Sequence, residues 1–189
     1  LNTLTFENGS NLASIGSSAF QNNSITTLTI PNSVTSILVN AFALNSSLNN
    51  VILPFDLSNI AFAIFDSSPS ITYSLLIDDG VVTISHEFYK DVGLSSVILS
   101  NTVETIGNYA FKLNHISSLT FDNDSSLSSI GSSAFRDNDI TSLKIPNSVT
   151  TIGEYAFKNN SLNTLTFDNS SNLSFISGGA FGNNKITSL

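Results

Sequence analysis

The chain contains no cysteine, no methionine and no tryptophan. Without cysteine there is no disulfide framework and no thiolate metal site, and thiol usage says nothing about redox compartment. Cations are scarce. Six Lys and Arg stand against 14 Asp and Glu, a formal net charge of −8, and the cations are not clustered along the sequence. That argues against nucleic acid, whose phosphates need grouped Lys and Arg to neutralise them. Charged residues are only 11% of the chain while hydrophobic ones are 41%. A disordered chain has the opposite balance, so a core is expected, with a polar surface made mostly of Ser, Thr and Asn. No apolar run approaches the ~20 residues of a membrane-spanning helix. The chain opens at Leu1 with no signal-peptide pattern, and it reads as one solenoid domain over residues 1–189, a piece of a longer array whose caps lie elsewhere.

What is present is a repeat. Ala-Phe falls at 19–20, 41–42, 110–111, 134–135, 156–157 and 180–181, with Ile64-Phe65 and Phe88-Tyr89 in the two remaining places. The aromatic positions are 20, 42, 65, 89, 111, 135, 157 and 181. Their spacing of 22 to 24 residues gives about eight turns and leaves no room for a linker. Leu4, Leu28, Val51, Leu75, Val97, Leu119, Leu143 and Leu165 form a second column, and an apolar residue follows each two places on. Apolar-any-apolar is the period of a strand with one buried face. A third column is unbroken Ile, from Ile15 to Ile176, and Gly follows it at 16, 107, 131 and 153, which suits a bend where a side chain would collide.

Short copies spell Ile-Pro-Asn-Ser-Val, at 30–34 and 145–149, and long copies insert two residues, as in Phe121 to Leu127 and Phe167 to Leu173. Both are turn chemistry, and the extra residues are expected to loop outward because the buried columns stay in register. Asn stands three residues after the aromatic at Asn23, Asn45, Asn114, Asn138, Asn160 and Asn184. Recurring once per turn, these Asn read as a buried ladder whose amides serve backbone groups of neighbouring turns. The alternative is a set of surface turn residues. Phe20, Phe42, Phe111, Phe135, Phe157 and Phe181 read as interior packing and not as a ligand box, since a single turn cannot bury its own apolar face and must stack on its neighbours.

The pattern apolar-x-x-Leu-x-Ile-Pro-x-x-Val-x-x-Ile-Gly-x-x-Ala-Phe-x-x-Asn resembles the BspA-like class of leucine-rich repeats over all 189 residues. Two departures stand out: family members often carry Cys where this chain has its Asn column, and copies three and four are degenerate. The resemblance implies a right-handed solenoid of short parallel β-strands, with the parallel sheet on one side, and short helical turns. It further implies an extracellular or cell-surface protein of bacteria or protists, whose role is adhesion and protein binding, without catalysis or cofactor.

Little else carries chemistry. His86 and His115 sit in variable columns more than a turn apart, where no Ser-His-acid convergence is available. Asp122, Asp124, Asp137 and Asp139 supply oxygens of the kind calcium takes, but without calcium-loop spacing they read as solvated turns. The outward strand positions are more informative. Thr3 and Thr5, Thr27 and Thr29, Ser118 and Thr120, Thr164 and Thr166 give Thr-x-Thr rows similar to the face of some ice-binding solenoids. In the middle the same column carries Ile52, Leu76 and Ile98, with Tyr73, Phe55 and Phe62 nearby. An apolar patch on a soluble surface marks an interaction site; drift in a tolerant repeat, with a loop folded over the patch, is the alternative. The expected function is therefore a non-catalytic module binding a host or matrix protein through Ile52, Leu76, Ile98, Tyr73 and Phe62. End-to-end self-assembly and ice binding stand behind it.

Overall fold

A computed structural model describes residues 3–7, 9–48, 50–53, 59–60, 65, 73–77, 80–168 and 170–187. Among the described residues, fifteen short strands alternate between two sides of a coil, where the resemblance implies a sheet on one side, because the Ile column pairs across turns as the Leu column does. The first side carries the Leu column in β2 (Thr27–Thr29), β4 (Asn50–Leu53), β6 (Tyr73–Ile77), β8 (Leu94–Leu99), β10 (Ser118–Phe121), β12 (Ser142–Ile145) and β14 (Thr164–Phe167). The second carries the Ile column in two-residue strands: β1 (Ser14–Ile15), β3 (Ser36–Ile37), β5 (Asn59–Ile60), β7 (Thr83–Ile84), β9 (Thr105–Ile106), β11 (Ser129–Ile130), β13 (Thr151–Ile152) and β15 (Phe175–Ile176). All pairings are parallel and join the same column of adjacent turns, with breaks between β10 and β12 on the first side and between β5 and β7 on the second. The result is a parallel β-solenoid.

The core is a set of stacked columns. Phe42, Phe111, Phe135 and Phe157 are fully buried, and Phe20 and Phe181 are half-buried. Their rings stack face to face, with centroids 4.9 Å apart for Phe111–Phe135 and 5.2 Å for Phe135–Phe157. That spacing is close to the ~4.8 Å between neighbouring strands, because one ring is delivered per turn. Tyr89 takes the ring's place in the fourth copy and stacks on Phe111 at 5.3 Å. Burial there pushes its hydroxyl far above the ordinary tyrosine range. An unfolded chain ionises near pH ~10 while the native Tyr89 stays neutral, so its contribution is intact below that pH and is lost as the pH rises further. Urea midpoints measured from pH 8 to 11 should fall more steeply for the parent chain than for Tyr89→Phe.

The expected short helical turns are not found: the described residues contain no helix. Between the Ile strand and the Asn column, each turn instead places two residues four apart in the left-handed region. Examples are Ser18 and Asn22, Ser133 and Asp137, Tyr155 and Asn159, all with φ between 54° and 58°. A left-handed residue costs about 1–2 kcal/mol for most side chains and ends any right-handed run. The N–H groups freed in this way reach the next turn: Phe111 N donates to Ala134 O and Phe135 N to Ala156 O, both at 2.8 Å. Close approach also explains the glycines. A Cβ on Gly153 would sit 2.5 Å from Ser132 N, and one on Gly131 2.6 Å from Asn108 N.

The Asn column closes the accounting of polar groups. Asn45 Nδ2 donates to the carbonyls of Phe20 and Phe42, both at 2.8 Å, and its Oδ1 accepts from Ile25 N at 3.2 Å. Asn114, Asn138, Asn160 and Asn184 repeat the scheme in the four turns from the fifth copy on, each bonding to the carbonyl of the preceding turn's aromatic residue. Asn23 is half-buried and donates to Phe20 O. A backbone group buried without such a partner costs roughly 1–3 kcal/mol, so these amides let the chain bend inside the core.

Candidate binding face

The five-stranded sheet β2–β4–β6–β8–β10 presents its outward residues in columns. One column reads Thr29, Ile52, Leu76, Ile98 and Thr120, each the direct partner of the next. Leu76 is 36% exposed and Ile98 44%, with Ile52 half-buried beside them. Three aliphatic side chains therefore lie in an unbroken row across three strands, with threonine at either end. The column beside it is polar, and Ser96 Oγ donates to Ser74 Oγ at 2.8 Å. Tyr73 lies on β6 opposite Leu94, where the register shifts by a bulge. Phe55 and Phe62 lie outside the described residues. The threonine rows needed for ice recognition are interrupted by the aliphatic row and by Lys144, which pairs with Asp168 at 2.6 Å.

The panel is bounded by two clefts that sequence reasoning did not anticipate. One, of about 510 Å³, lies between residues 3–7 and β2 and includes Phe6, Glu7, Pro31 and Ile52. The other, of about 360 Å³, lies between β10 and β12 and includes Phe121, Asp122, Asp124, Lys144 and Pro146. Both open where a long turn is followed by Ile-Pro-Asn-Ser-Val. The residue in the proline column normally donates to the preceding turn, as Ser100 N does to Ile77 O and Asp122 N to Leu99 O. Pro31 and Pro146 have no N–H, so that ladder bond is missing. The turns rejoin beyond the gap, where Thr35 N donates to Ala13 O and Thr150 N to Ser128 O. The signal was legible in principle, since proline recurs in one column, but its effect depends on which neighbour that column faces.

The remaining candidate residues are dispersed. Asp122 Oδ1 accepts from Asn123 N within its own loop, Asp137 accepts from Asn159 Nδ2, and Asp139 lies 3.3 Å from His115 Nδ1. No group of three or more His, Asp or Glu is placed to hold a metal ion among the described residues. His86 packs edge-on against Tyr109, and His115 is solvent-facing.

A sequence profile described as the BspA type leucine rich repeat region matches residues 1–90 and 82–189 in six copies. The chain belongs to this BspA-type leucine-rich repeat family. The family match counts six copies where the Ile column forms eight strands. No curated protein matches the chain. Among solved structures, it is similar to the pneumococcal vaccine antigen PcpA, at 21% identity and a TM-score of 0.48 over 98% of this chain and 43% of that one. It is also similar to a leucine-rich repeat protein from Bacteroides ovatus, at 18% identity and a TM-score of 0.44, covering 90% of this chain and 67% of that one. A leucine rich cell surface protein from Faecalibacterium prausnitzii gives 18% identity and a TM-score of 0.35, covering 84% and 70%. The chain thus spans less than half the length of the pneumococcal antigen. No helix among the described residues is long and apolar enough to cross a membrane.

Proposed function

We propose that this BspA-type repeat is a non-catalytic protein-binding module of an extracellular or cell-surface protein, and that its partner, a host or matrix protein, docks on the panel from β2 to β10. The aliphatic row Ile52, Leu76, Ile98 carries the reading. Three outward aliphatic residues in register leave an apolar stripe in water that a partner's apolar side chains would cover. The flanking clefts add direction. Glu7 lies in one, and Asp122, Asp124 and Asp168 outnumber Lys144 in the other. A partner surface with an apolar centre and basic flanks is the complementary one, with the charges governing encounter more than affinity.

Changing Ile52, Leu76 and Ile98 together to serine tests the reading. All three face outward on strands whose neighbours already carry Thr and Ser, so the thermal midpoint should stay within a few degrees. Binding to an immobilised panel of extracellular-matrix and host-surface proteins, followed by surface plasmon resonance, should weaken at least about tenfold. Unchanged binding by the triple variant would place the interface elsewhere.

A further inference from the structure

The turns carry a second surface, independent of the strand panel. The residue after each core aromatic reads Lys90, Lys112, Arg136 and Lys158 in four consecutive turns, so four of the chain's six cations share one column. Backbone bonds hold these turns side by side: Asp91 N donates to Lys112 O, Leu113 N to Arg136 O and Asp137 N to Lys158 O. Two cations are already neutralised, Lys90 by Glu87 at 2.7 Å and Arg136 by Asp137 at 3.2 Å. The other two, Lys112 and Lys158, instead lie over tyrosine rings. Lys112 Nζ is 5.6 Å from the centroid of Tyr109, and Lys158 Nζ is 4.6 Å from that of Tyr155.

Both tyrosines are the third residue before their lysine, in the repeated word Tyr-Ala-Phe-Lys, and both are left-handed, with φ of 58° and 57°. The same position is filled by Glu87 in one other turn and, at lower conformational cost, by Ser18, Asn40, Ser133 and Gly179 in the rest of the described turns. A bulky side chain held there is a conformational outlier. Neither ring is buried: Tyr155 is 36% exposed and lies against the backbone of Gly179, and Tyr109 is half-exposed beside His86. Two turns separate the pair, about 10 Å at the spacing of parallel strands. The ridge therefore offers an aromatic platform with an ammonium group, repeated once, at a separation of the order of one disaccharide unit in an extended glycan.

We propose that this ridge binds an extended acidic polysaccharide, one carrying a single anionic group on each disaccharide. Each tyrosine takes the apolar face of a sugar ring and its lysine takes the acidic group. Two equivalent contacts on one chain act together through effective concentration. With Lys90 and Arg136 already paired, Asp91 and Glu154 along the same ridge disfavour a polymer charged at every unit, which separates this ligand from nucleic acid or polyphosphate.

The test uses tyrosine fluorescence and calorimetry on the whole chain, titrated with hyaluronan oligosaccharides of eight or more sugars, with neutral dextran and with polyphosphate. Hyaluronan should bind, more weakly as salt rises, and should bind better than either of the other two. Tyr109→Ser with Tyr155→Ser should reduce that binding at least tenfold while leaving the thermal midpoint unchanged or higher, since serine already occupies this position at Ser18 and Ser133. Lys112→Gln with Lys158→Gln should remove the preference for the acidic glycan over dextran. Absence of hyaluronan binding, tighter binding of polyphosphate, or binding unaffected by the tyrosine changes would each overturn the assignment. None of these outcomes bears on the Ile52, Leu76, Ile98 row, which is built from strands and is probed with proteins.

Discussion

Replacing Phe135 by alanine is expected to lower the unfolding free energy by about 3–5 kcal/mol, the range for removing a fully buried ring. Phe135 has no exposed surface and lies between Phe111 and Phe157, nearly parallel to both, with interplanar angles of 8° and 4°. Its removal opens a gap in the middle of the stack, where the rigid turns on either side cannot collapse inward. In a solenoid each turn touches only its neighbours, so stability is a sum of turn and interface terms. One change therefore weakens two interfaces. Urea denaturation followed by circular dichroism measures the loss. The same change at half-buried Phe20 should cost clearly less, and equal costs at the two positions would rule out burial as the cause.

Asn138→Leu is expected to be nearly as damaging, although leucine is more apolar and similar in size. Asn138 Nδ2 donates to Phe111 O at 2.9 Å and to Phe135 O at 3.0 Å, and Oδ1 accepts from Ile116 N at 3.0 Å. Leucine replaces none of these bonds, and each buried group left unpaired costs roughly 1–3 kcal/mol. Partial relaxation still leaves an expected loss of at least about 3 kcal/mol. Hydrogen exchange gives a local reading: the Ile116 amide should lose protection ahead of the Ile145 and Leu143 strand. A variant as stable as the parent would mean that the bend needs no partner for these groups.

Much of the fold was legible because the repeat imposes one chemical requirement per column. Ile in the column from Ile15 to Ile176 and the apolar-any-apolar rhythm of Leu143-Lys144-Ile145 can be satisfied only by strands with one buried face. The turn between them, for which the family resemblance implies a helical turn, contains no helix. Ser133-Ala134-Phe135-Arg136-Asp137 contains nothing a helix forbids, and left-handed φ at Ser133 and Asp137 is chosen by the hydrogen bonds to Glu154 O and Lys158 O of the next turn. Local propensity lost to an inter-turn bond. The patch residues Ile52, Leu76 and Ile98 stood out as departures from a threonine column, whereas the clefts did not, because proline at 31 and 146 looked like ordinary turn punctuation.

The period of 22 to 24 residues, the buried columns and the family follow from the sequence alone, since burial on one face dictates residue type position by position. Placement across turns was decided by tertiary structure. Lys90, Lys112, Arg136 and Lys158 are 22 to 24 residues apart in sequence and unclustered there, yet stacking sets them in one column beside two strained tyrosines. Pro31 and Pro146 open clefts only because the missing N–H faces a carbonyl of the preceding turn. A repeat converts long sequence separation into the distance between adjacent strands, and so the surfaces able to bind are written across turns and not along the chain.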